Sequence, residues 1–182
     1  MVFSNIFFLY VFLPALFLAY FVIKNNAYRR AVLIAFSLVF YAWGEPIYVF
    51  LMIGLVLADY IFGLLISKTR QVWLRKFWLV IAIVSNLSIL GVYKYLGFFT
   101  ETLNFIFNVT IPVVKLSRPI GISFFTFQTM SYVIDVYRGD ADVQKSFFRL
   151  LLYVSFFPQL VAGPIVRYKD IEMQLSDRQV SL

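Results

Sequence analysis

Histidine and cysteine are both absent from this 182-residue sequence. Without cysteine there are no disulfides, no palmitoylation sites and no thiolate metal ligands. Zinc and haem lose their usual donors once histidine is missing as well. No metal site and no bound cofactor are therefore expected. Charge is scarce too, at 14% of residues, against about 25% in a soluble domain.

What fills the space is apolar. Hydrophobic residues make up 62% of the chain, 22 of them phenylalanine, where a soluble domain has roughly 45–50% apolar residues. A soluble core of this size cannot hide so much apolar surface, so part of the solvent must be lipid. The net charge of +7 would suggest nucleic acid in a soluble protein. Here the basic residues gather between apolar runs, which is a topology signal, and the expected partner is the bilayer, not nucleic acid.

The N-terminal MVFSNIFFLYVFLPALFLAYFVI has no basic leader and no small-residue cleavage pattern, and is expected to be a retained anchor. A first span runs over 3–23 with a kink at Pro14; a short second span covers 31–43. Gly44-Glu45-Pro46 makes a tight turn into a third span, 46–66, and a fourth covers 77–93. The two loops carrying Lys24, Arg29, Arg30, Lys68, Arg70, Arg75 and Lys76 contain no acidic residue. The positive-inside rule places both in the cytoplasm and the N-terminus outside. Residues 95–114 are apolar but interrupted by Thr100, Glu101, Asn104, Asn108 and Pro112, and fit a re-entrant or interfacial helix as well as a span. Residues 119–137 form a further candidate span, and 146–157 open the last apolar helix. The expected fold is all-α, a single multi-pass transmembrane domain over 1–182.

Polar residues inside such runs are expensive. Asp59 falls eight residues from a basic loop, about 12 Å deep at 1.5 Å per residue. The next helix starts from the same side, which sets Ser85, Asn86 and Ser88 near that depth. Asp59 is expected to face Asn86 or a neighbouring serine, with Gly63 permitting close approach. In PIGISFFTFQTMSYVIDVYRG, the positions Phe124, Gln128, Ser131, Asp135 and Arg138 fall on one helical stripe, with Asp135 and Arg138 able to pair. Phe125, Met130 and Val133 are expected to turn elsewhere. Both features read as interhelical hydrogen bonding or as a substrate path. SFFPQLVAGPIVRYKD places Pro158, Gly163 and Pro164 inside an apolar run and ends on Arg167, Lys169 and Asp170. The freed carbonyls need protein or water partners, so a helix break is expected beside anion-binding groups, while a plain interfacial exit loop explains the charges equally well.

These two long motifs, with VFSNIFFLYVFLP and FYAWGEP near the start, resemble the membrane-bound O-acyltransferase family in its bacterial alginate O-acetyltransferase-like branch. The resemblance implies helices around a funnel open to the cytoplasm in the bacterial inner membrane. It implies acetyl transfer from acetyl-CoA toward an exported polysaccharide, with extracytoplasmic acetyltransferase proteins as partners. It also implies a longer chain with an essential histidine in its later part. Ser155, Tyr168 and Asp170 do not replace that base, because nothing here activates a serine.

The ending MQLSDRQVSL reads as the lead-in to another helix, so the chain is expected to be the N-terminal portion of such an enzyme, truncated and inactive alone. Gln128, Asp135, Arg138, Pro158, Gly163, Pro164 and Arg167 then carry over as wall and support positions, none of them catalytic. Arg167 and Lys169 are placed to touch coenzyme A phosphates if their loop faces the cytoplasm. A small transporter or channel subunit, or a non-catalytic membrane scaffold, is the alternative from composition and polar placement alone.

Overall fold

A computed structural model describes residues 6–107, 112, 119–162 and 167–170, and the regular structure among these is all helical, with no strand. A π-helical stretch, Phe8–Phe12, leads into α1 (Leu13–Val22). The irregularity sits one turn before Pro14, where a proline ring collides with the carbonyl four residues back and the ladder must open. Asn25 caps α2 (Asn26–Gly44), its side chain accepting the Ala27 N–H at 2.8 Å. The turn through Glu45 and Pro46 delivers α3 (Tyr48–Lys68). Next come α4 (Val72–Leu90), a π-helical stretch Gly91–Tyr95 and α5 (Leu96–Phe107). Then follow α6 (Ile122–Arg138), α7 (Phe147–Ser155) and α8 (Phe157–Ala162).

Two helices are long and apolar enough to cross a membrane, Tyr48–Lys68 and the continuous Val72–Phe107. Expectation and structure differ in this second helix. Lys94 reads in the sequence as a boundary, but the π-helical turn carries the helix through it without a break. Large apolar side chains cover the outside, among them Trp43, Phe50, Trp73 and Phe105. An exposed apolar surface of that extent fits lipid and would drive association in water.

At the centre lies α6, packed against α3 and α4 on one side and α7 on another, while α2 packs on α1 and α7. Phe125, Tyr132 and Val133 of α6 are wholly buried with Met52, Val56 and Ile66 of α3 and Ala82 of α4. Phe125 and Val133 therefore do not turn away from the interior as expected; protein surrounds α6 on nearly every side.

Between α7 and α8 the chain breaks at Phe156, where ψ reaches 107°. Phe157 then drops into a ring cluster with Phe8, Phe12 and Phe40, at centroid distances of 6.0, 5.8 and 5.3 Å. The break precedes Pro158, which occupies the first turn of α8, where its missing N–H is harmless. The interruption falls where Pro158 would bar an unbroken helix, and the Phe157 ring anchors the segment that follows. Gly163 and Pro164 lie outside the described residues.

Candidate functional site

The polarity of the bundle follows from two contacts at opposite ends of α6. Arg75, in the first turn of α4, donates to the Tyr137 carbonyl at 2.9 Å, at the C-terminal end of α6. Lys94 lies 3.2 Å from Ser123 Oγ at the N-terminal end. The two helices are thus antiparallel. The end holding Arg75, Lys76, Lys68 and Arg138 is strongly basic.

Within the bundle the structure brings Asp59 and Asn86 together. Asn86 Nδ2 lies 2.9 Å from both Asp59 carboxylate oxygens and 2.8 Å from the Ala82 carbonyl. Thr129 of α6 closes this node, its Oγ1 3.1 Å from Asn86 Oδ1. All three side chains are buried, and three helices share one hydrogen-bonded group. Ser85 instead bonds its own helix at the Ala82 carbonyl. Gly63 does permit a close approach, but by Tyr132 of α6: a β-carbon there would sit 2.6 Å from the tyrosine hydroxyl. A cavity of about 330 Å³ opens nearby between α3 and α4, apolar except at Ser85 and Asn86.

Nearer the basic end a second cluster forms around three buried tyrosines. Tyr168 meets the rings of Tyr132 and Tyr153 edge-on, at 4.8 and 5.5 Å. Gln144, in the loop before α7, ties them down. It donates from Nε2 to Tyr168 Oη at 2.9 Å and from its backbone to Tyr132 Oη at 3.2 Å, and accepts the Ser146 N–H at 3.1 Å. Tyr60 donates to the Lys145 carbonyl at 2.9 Å. The loop is thereby drawn inward, because Tyr132 stands six residues above the end of α6, about 9 Å at 1.5 Å per residue.

The stripe on α6 borders this cluster. Ser131 donates to the Gln128 carbonyl at 2.9 Å and shares a side-chain hydrogen bond with Tyr153. Gln128 and Asp135 are buried, while Arg138 is exposed. Asp135 does not pair with Arg138. It accepts the backbone N–H of Lys169 and lies near the charges of Lys169 and Arg167, both exposed. The segment 167–170 folds back onto α6 and supplies a partner that helical spacing alone did not suggest. Gln128 Oε1 and Asp135 Oδ2 are buried and make no hydrogen bond among the described residues. Two acceptors without donors, two helical turns apart on one helix, suit a ligand or solvent that donates.

Thr129, Tyr132, Gln144, Tyr153 and the contact role of Tyr168 escaped the sequence reading. Tyrosines carry little signal in a chain that is 20% aromatic. The available hint was Gln144, a neutral amide in a loop that also carries Asp140, Asp142 and Lys145.

Sequence comparison places relatives along the whole chain. A probable alginate O-acetylase AlgI of Pseudomonas aeruginosa is 37% identical over 186 residues, covering 98% of this chain and 35% of that protein. A probable alginate O-acetylase AlgI of Azotobacter vinelandii is 37% identical over 187 residues, covering 100% of this chain and 37% of its own length. A peptidoglycan O-acetyltransferase of Helicobacter pylori is 32% identical over 206 residues, covering 98% of this chain and 39% of that protein. The chain thus spans somewhat over a third of these relatives. No family model and no solved structure matches it. The resemblance carried by the long motifs is borne out.

Proposed function

We propose that this chain forms part of a membrane-bound O-acyltransferase of the branch that O-acetylates exported polysaccharide, and that it builds wall and support for the transfer chamber. The observation that carries this reading is the match of virtually the entire chain to proteins named as O-acetylases and an O-acetyltransferase. In this account the basic end faces the cytoplasm and the N-terminus lies outside, as positive loops require. Acetyl-CoA is the donor and approaches from the basic end, where Arg167 and Lys169 offer charge to its phosphates. The acceptor is an alginate-like or related polysaccharide hydroxyl, handled with extracytoplasmic partner proteins.

Acyl transfer from a thioester to a hydroxyl benefits from a base whose pKa lies near working pH. With no histidine in 182 residues, this stretch holds the chamber and does not activate the nucleophile. Gln128, Ser131 and Asp135 line the approach, and the Tyr132–Tyr153–Tyr168 cluster fixes the loop that borders it.

The test is transfer of radiolabelled acetyl from acetyl-CoA to polysaccharide in membranes. Activity is expected when the chain is continued by the remaining two thirds of a relative such as the Azotobacter protein, and none from the chain alone. A continued chain that is stably inserted yet transfers nothing overturns the reading. So does transfer by the chain alone.

A further inference from the structure

The helix Val72–Phe107 is too long for one crossing. Its 36 residues reach about 54 Å at 1.5 Å each, against a hydrocarbon core of about 30 Å. The contacts that bracket α6 show where the crossing ends. From Arg75 to Lys94 the helix covers about 28 Å, one bilayer core. Tyr95–Phe107 remains, another 20 Å or so by the same rise. Tilt does not absorb the excess, since fitting 54 Å into 30 Å needs about 56°, beyond the range of roughly 0–40°.

A collinear extension would hold Phe98, Phe99, Ile106 and Phe107 in water together with Phe105, which is 90% exposed; α5 buries no residue. The helix has a place to bend. The π-helical stretch Gly91–Tyr95 interrupts the regular ladder at the bracketed boundary. Apart from the helix's own backbone and adjoining residues, no atom lies within 4 Å of the site of a β-carbon on either Gly91 or Gly97, so nothing packs against the backbone at these two glycines.

The faces of α5 say what covers it. At 100° per residue, Gly97, Thr100, Glu101 and Asn104 share one narrow face, and the large apolar residues occupy the rest. Thr102 falls in the apolar arc, but its hydroxyl is spent on the Phe98 carbonyl at 2.8 Å. The apolar face also continues the outward stripe of α4 through Trp73, Phe77, Val80, Val84 and Leu87 into Val92 and Tyr95. A surface that faces lipid along α4 faces lipid along α5. Tyr93, against Tyr48 at 5.7 Å, and Lys94 with Tyr95 mark the level at which interfacial side chains anchor a helix.

We propose that α5 lies in the headgroup plane of the leaflet remote from the basic loops, hinged at Gly91–Tyr95, with its aromatic face pressed into lipid. The occupant of that face is the bilayer itself.

The absence of cysteine makes the test clean, because each introduced thiol is unique. Glu101→Cys, Phe105→Cys, Ile106→Cys and the reference Val84→Cys are nitroxide-labelled in nanodiscs of phosphatidylethanolamine and phosphatidylglycerol. Collisions with oxygen and with a nickel chelate are compared by power saturation. Oxygen should outweigh nickel severalfold at 105 and 106, nickel should prevail at 101, and 105 and 106 should lie shallower than 84. Labels at 105 and 106 as deep as 84 mean that α5 spans, and nickel dominance there means that it projects into water. Labels screened from both reagents mean that protein covers the face. Each of these overturns the proposal, and Ile106→Cys decides alone if Phe105→Cys does not fold.

Discussion

Tyr132 and Gly63 are fitted to each other across α6 and α3. A β-carbon on Gly63 would stand 2.6 Å from the tyrosine oxygen, 2.9 Å from Cε1 and 3.0 Å from Cζ. The ring cannot retreat. It is fully buried, its edge meets Tyr168 at 4.8 Å, and its hydroxyl takes the Gln144 N–H.

Gly63→Ala is therefore expected to destabilise the bundle by about 1–3 kcal/mol, the usual cost of forcing atoms into a packed interior. In a Tyr132→Ala background the same change should cost almost nothing. Denaturant unfolding in mixed micelles, run as a double-mutant cycle, checks this coupling.

Asn86→Leu strands Asp59 with its carboxylate buried, and the loss is expected at about 1–3 kcal/mol. Asp59→Asn keeps an acceptor and removes the charge, so it should be far milder. Removing both partners together should hurt less than removing Asn86 alone. Unfolding midpoints of the four proteins give the order.

Tyr168→Phe deletes a hydroxyl bonded to Gln144 and should cost about 0.5–1.5 kcal/mol. Tyr168→Ala also empties the space between Tyr132 and Tyr153, raising the loss to about 3–5 kcal/mol. Proteolysis within residues 139–146 should accelerate in the second variant much more than in the first.

Gly139, at φ 79°, closes α6, its own N–H and that of Asp140 reaching back to the Val136 and Asp135 carbonyls. The Tyr137 carbonyl is left to Arg75. Gly139→Ala should cost about 1–2 kcal/mol, since a side chain resists left-handed backbone. Arg75→Leu should quicken amide exchange in the last turn of α6 more than in α3.

Much of this arrangement was legible because depth in a membrane can be counted from a basic loop. Asp59 and Asn86 lie on helices that leave the same loop, so similar residue counts from it set them near one depth. The surroundings of α6 were not legible. Its polar stripe suggests one inward face, but α3, α4 and α7 enclose it, and Phe125 and Val133 are buried as well. The break expected at Pro158 falls beside it, at Phe156, but its ring partners were not legible: Phe157 is held by Phe8, Phe12 and Phe40, distant in the chain. Lys94 reads as a boundary between 77–93 and 95–114 because charge usually ends a span; the π-helical turn lets the helix continue past it.

The account depends on the α6 stripe bordering a protein chamber that water enters from the basic end. Ser131→Cys and the lipid-facing Val84→Cys, treated with a membrane-impermeant maleimide on inside-out vesicles, test this most directly. Modification is expected at 131 at least about tenfold faster than at 84, and slowed by added acetyl-CoA in the continued chain. Equal, negligible rates at the two positions would contradict it.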